Sequence, residues 1–60
     1  MITTQYGMEI EIIGGDTDKE TADIHYPDTG HTRYGVSISE LRAPGGIEEI
    51  YETIKRTQSD

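Results

Sequence analysis

Apolar and polar residues alternate strictly along Met8-Glu9-Ile10-Glu11-Ile12, the period-two signature of a strand with one buried and one wet face. This pattern predicts a strand over about 6–13 with Met8, Ile10 and Ile12 turned inward. Gly14 to Glu20 contains no apolar residue and two adjacent glycines, so it is expected to be a mobile surface loop. Two further alternating runs, about 21–27 and 31–38, flank Tyr26-Pro27-Asp28-Thr29-Gly30-His31, which reads as a hairpin turn with Gly30 in the left-handed conformation. A three-residue loop, Asp28 to Gly30, sets Pro27 against His31, Tyr26 against Thr32, Ile24 against Tyr34 and Ala22 against Val36, apolar opposite apolar. A four-residue loop would oppose Ile24 to Arg33 and Ala22 to Gly35 and turn one apolar face to solvent, so the three-residue loop is preferred.

After Ile38 the alternation stops. Ser39 to Ala43 is too short for a stable helix before Pro44 and its two glycines, although Ser37 and Glu40 have capping-box spacing. Ile47, Ile50, Tyr51 and Ile54 then fall at i, i+3, i+4 and i+7, one stripe of a helix over about 47–56. Glu48 and Glu49 in its first turn and Lys55 and Arg56 in its last match the helix macrodipole, and Gly45 or Gly46 serves as N-cap. Residues 57–60 are expected to fray. The fold class is therefore α+β: a small antiparallel sheet of at least three strands with one C-terminal amphipathic helix.

Length narrows what such a fold can do. One domain of 60 residues buries only about 60% of the surface its unfolded chain exposes, which leaves no room for a deep pocket. With no Cys, Phe or Trp, the core falls to isoleucines and to Tyr26, Tyr34 and Tyr51 at its rim, without disulfide or thiolate metal site. Extra stability then has to come from packing, a bound ion or self-association, which admits a homodimer. The longest apolar run, Ile12-Ile13, neither spans a membrane nor forms a signal peptide, and a soluble, cytoplasmic protein is expected.

Twelve acidic residues against five basic ones give a formal charge of −7. Free nucleic acid is a poor ligand for such a chain, whereas a basic protein surface is a good one and would be steered by the field. Glu9, Glu11, Asp23, Glu48, Glu49 and Glu52 are the candidate partner-binding residues.

No constellation in the chain spells a catalytic chemistry. Asp28-Thr29-Gly30 is letter for letter the catalytic triplet of aspartic proteases, but that chemistry needs a second aspartate and a cleft, and the turn reading prevails. Asp16-x-Asp18-x-Glu20 has the opening spacing of a calcium loop, yet Thr21 stands where Gly is needed and Pro27 where the bidentate Glu belongs. His25, expected opposite Arg33 on an outward polar face, and His31 are two ligands without a third. Ser37 and Ser39 lack a nucleophile-elbow context, and neither glycine pair has the spacing of a phosphate loop. Tyr26 and Tyr34 with Asp23 and Glu40 could line an aromatic anionic patch for a cationic side chain, but the pairing places both rings inward as core. The expectation is a protein that is not an enzyme and holds no cofactor or metal.

The order strand, polar loop, strand, hairpin, strand and short Ser39-Glu40-Leu41 turn resembles small SH3-like β-barrels of the Tudor and KOW type over about forty residues. Departures are plain, since KOW modules present basic residues and Tudor modules carry more aromatics than are found here. The leading expectation is a small acidic protein-interaction module or regulator. The alternative is a phage- or plasmid-type inhibitor, of the anti-restriction or anti-CRISPR sort, whose carboxylates imitate nucleic-acid phosphates in a continuous ribbon.

Overall fold

The computed structural model describes residues 1–58; of the tail expected to fray, Thr57 and Gln58 instead continue the C-terminal helix, and Ser59 and Asp60 lie outside the described residues. Three longer strands, β2 (Glu11–Asp16), β3 (Thr21–Tyr26) and β4 (His31–Ser37), form an antiparallel sheet in the order β2-β3-β4. Two short strands, β1 (Thr3–Thr4) and β5 (Leu41–Arg42), pair antiparallel as a second sheet. A single 3-10 turn, Ile38–Glu40, joins β4 to β5, and helix α1 (Ile47–Gln58) closes the chain. The class is α+β, as the periodicities require, and the strand ladders of the described residues do not close into a barrel.

The core follows from the alternation in β3. Ala22, Ile24 and Tyr26 are buried and meet Val36, Ile38, Leu41, Ile10 and the helical Ile50 and Ile54. The helix lies on this face, and Ile54 reaches Gly15 of β2. Ile47, the first residue of the apolar stripe, is left exposed at the start of α1, and Tyr51 packs at the core's edge. Glu49 completes the helix start: its Oε1 accepts from the Gly45 N–H at 2.9 Å, so the glycine N-cap region borrows a side chain from the first turn.

Register departs from the sequence expectation at the hairpin. Tyr26 pairs with His31, His25 with Thr32 and Ile24 with Arg33, so the loop has four residues, Pro27 to Gly30. Gly30 is left-handed as expected, at φ +76°, and its N–H donates to Tyr26 O at 2.8 Å. The predicted facing of Ala22 and Val36 is nonetheless kept, because a bulge between Ala22 and Ile24 lets Tyr34 and Gly35 together oppose Asp23. Gly35 takes φ +66° to make that bend. One residue lost at the loop is recovered three positions later, so the apolar face does not flip. Tyr34 is the residue displaced: it points to solvent rather than inward, with 75% of its surface exposed.

Three other expectations are corrected by the same geometry. Gly14 and Gly15 belong to β2 rather than to a loop, and only Thr17 to Glu20 form the turn. Strand β2 begins at Glu11, and the residues before it make a turn at Tyr6 and an isolated bridge from Glu9 to Thr3. Met8 is therefore half exposed rather than inward, whereas Ile10 is buried and Ile12 partly so. Finally, His25 faces Thr32 and not Arg33, with its Nδ1 hydrogen-bonded to Thr32 Oγ1 at 3.2 Å.

Candidate interaction surface

Asp23 sits in the middle of the central strand, on the face opposite Ala22 and Ile24 and so opposite the helix. Both neighbouring strands are irregular at this one residue. On one side Gly14 pairs with it and Ile13 is the extra residue between two paired positions; on the other, Tyr34 and Gly35 share it. The carboxylate Oδ1 accepts from the Gly35 N–H at 3.1 Å, and a Cβ at Gly14 would lie 3.0 Å from Oδ2. The carboxylate therefore occupies a notch flanked by two positions without side chains, with exposed Ile13 and Tyr34 next in line on either strand. An isolated glycine within a strand pattern is the sequence signal of a bulge, and Ile13-Gly14 and Tyr34-Gly35 both carry it.

The six candidate carboxylates are not gathered on one surface. Glu9 and Glu11 flank the buried Ile10, and Glu11 pairs with His25 on the same sheet face as Asp23. Glu48 and Glu52 are exposed on α1, whose Ile50 and Ile54 side packs on the other face of the sheet, and Glu49 is engaged with Gly45. The sheet thus stands between the two acidic groups.

Tyr26 does not join Tyr34 in a cage. Its ring is buried and its hydroxyl accepts from Arg33 Nη1 at 3.4 Å, an interaction that raises the guanidinium pKa above its ordinary value. Beside this pair lies a slot of about 40 Å³ floored by Ile24, Val36 and Leu41, with Tyr6, Met8 and Glu40 at its lip. That volume admits the end of one small side chain and no more. Tyr6 and Met8 were missed as surface candidates because the turn that exposes them interrupts an otherwise regular alternation.

The remaining chemical candidates have local structural roles. Asp16 Oδ1 accepts from the N–H groups of Asp18 and Lys19 at 2.9 and 3.3 Å, which orders the β2-β3 turn as an Asx motif. Glu20, left-handed at φ +57°, accepts from the Tyr51 hydroxyl at 3.1 Å and ties that turn to the helix. No group of three or more His, Asp or Glu among the described residues is arranged to hold a metal ion. Ser37 caps the 3-10 turn, its Oγ accepting from the Ser39 N–H at 3.4 Å. No described helix is long and apolar enough to cross a membrane. Comparison with known proteins finds no matching family model, no matching curated protein and no matching solved structure.

Proposed function

We propose that this chain is a small acidic, non-enzymatic protein-interaction module whose partner presents a basic surface, and that it binds through the sheet face away from α1. The observation that carries the reading is Tyr34, 75% exposed beside a glycine bulge on a face that also bears Asp23, Glu11 and the half-exposed Ile13. An aromatic ring held on a rigid strand in an acidic setting is the kind of anchor that dominates protein interfaces. Support for a resemblance to SH3-like modules comes from the element order: β5 returns to β1 after a 3-10 turn, and Leu41 of the Ser39-Glu40-Leu41 turn is buried. A cytoplasmic setting and a monomer or homodimer state belong to the same proposal.

The nucleic-acid mimic is the weaker reading, because it asks for a continuous ribbon of carboxylates and the sheet separates Asp23 and Glu11 from Glu48 and Glu52. Affinity capture from cells at low and high salt, with wild type beside an Ile13→Ser/Tyr34→Ala variant, tests the choice. A protein with a basic surface, retained by wild type and lost by the variant, is expected. Capture of a nucleic-acid enzyme that is insensitive to this variant but abolished by Glu48→Gln/Glu52→Gln would replace the module reading with the mimic.

A further inference from the structure

We infer that the Asp23 notch is a receptor for a single arginine side chain of the partner; the inference rests on the module reading above and names what its surface recognises. Three features converge on one carboxylate. Bulges in both flanking strands fall at Asp23, and Gly14 in one of them leaves bare the place where a Cβ would stand 3.0 Å from the carboxylate Oδ2. One carboxylate oxygen is fixed by the Gly35 N–H at 3.1 Å, a neutral donor that orients the group without cancelling its charge. The Gly35 N–H occupies one acceptor position of the carboxylate, and an ionised carboxylate has about four.

The surroundings select the occupant. On this face the outward positions of the three strands, among them Glu11, Asp23, His25, Thr32 and Tyr34, hold neither lysine nor arginine among the described residues. The chain's own arginines nearest in sequence are engaged elsewhere: Arg33 with Tyr26, and Arg42 with the carbonyls of Ser39 and Leu41 at 2.6 and 2.8 Å. A lysine or arginine that pairs with Asp23 on this face therefore comes from outside the described residues. Exposed Tyr34 and half-exposed Ile13, one at each bulge beside Asp23, add an aromatic and an aliphatic side chain to the same stretch of surface. A planar guanidinium suits this better than an ammonium, since it stacks on an aromatic ring, is less tightly hydrated and carries a stem that packs on aliphatic surface.

The test uses the full chain, labelled with nitrogen-15 and titrated with N-acetyl-arginine methylamide and, separately, with the neutral isostere N-acetyl-citrulline methylamide and the lysine analogue. The expected result is a saturable, salt-sensitive shift of the Gly14, Asp23, Tyr34 and Gly35 amides with the arginine probe, weaker by at least severalfold with lysine and absent with citrulline. Asp23→Asn keeps an acceptor for the Gly35 N–H, so its spectrum should remain that of a folded protein while the response is lost. Tyr34→Ala, at an exposed position, should weaken the response severalfold. Equal shifts with citrulline or lysine, a response that survives Asp23→Asn, or shifts centred on Glu48 and Glu52 would each overturn the assignment. An arginine response at Asp23 with no captured protein partner would instead sink the module reading and leave the site standing; a captured partner indifferent to Asp23→Asn would do the reverse.

Discussion

Gly15 and Ile54 approach so closely that a Cβ on the glycine would stand 3.2 Å from the isoleucine Cγ2, with Thr21 O at 2.6 Å and Ala22 Cα at 2.9 Å on its other side. Gly15 also has φ +148°, a conformation that L side chains rarely adopt. Gly15→Ala should therefore destabilise the fold by about 2–3 kcal/mol through overpacking and backbone strain together. Gly30→Ala is the contrast, since nothing lies within 4 Å of its Cβ position, and backbone strain alone should limit the loss to about 1 kcal/mol. Chemical denaturation of the two variants side by side checks the ordering.

Ile54 is fully buried and Ile47 half exposed on the same helical stripe. Ile54→Ala should remove about 2–5 kcal/mol, comparable with all that a core of this size supplies, and leave the chain largely unfolded at room temperature. Ile47→Ala should cost less than about 1 kcal/mol. Circular dichroism through a thermal ramp would show the difference directly, and a folded Ile54→Ala would mean that α1 is not the lid of the core.

Asp23→Ala deletes the acceptor for the Gly35 N–H, whereas Asp23→Asn retains one. The expected loss for alanine is about 0.5–1.5 kcal/mol, with little for asparagine. Amide hydrogen exchange at Gly35 reports the bond itself: it should accelerate in the alanine variant only.

The Tyr51 hydroxyl has its pKa raised above the ordinary 10.0, first by its hydrogen bond to Glu20 and then by burial and the charge of that carboxylate. A pKa higher in the folded than in the unfolded state means that the contribution is fully present below the unfolded value and is lost as pH climbs through the folded one. Stability should therefore fall in alkali above about pH 10, and the Tyr51 ring titration, followed by NMR, should move down toward the ordinary value in Glu20→Gln. A midpoint unchanged by that substitution would show that the turn and the helix are not joined in solution.

Helix α1 was legible because its pattern is long, with Ile50 and Ile54 at one helical repeat and charges sorted by the macrodipole. The hairpin was legible in kind, with Gly30 left-handed, but not in register. Register counting assumes an unbroken period of two, and the bulges at Ile13-Gly14 and Tyr34-Gly35 each break it by one, so errors appeared where those residues sit. The glycines that mark the bulges were visible, yet Gly14-Gly15 beside an acidic run also fits a loop, and only the approach of Ile54 explains why they are in a strand. β1 and β5 have two residues each, too few for any periodicity, and exist because they find one another. The carboxylates of the candidate surface were visible as charges; that Asp23 alone among them is framed by bare backbone on both sides is a property of the assembled sheet.

The pairing of Thr3–Thr4 with Leu41–Arg42 closes a loop that contains every longer strand, and so should form only once those strands are in place. Until then the N-terminal segment holds only its own short turn, made by the Thr3–Glu9 bridge, the Thr4 N–H to Met8 O bond at 2.9 Å and the Ile10 N–H to Ile2 O bond at 3.2 Å. The β2-β3-β4 meander, held by contacts close in sequence, should therefore order first, and the β1-β5 pair last.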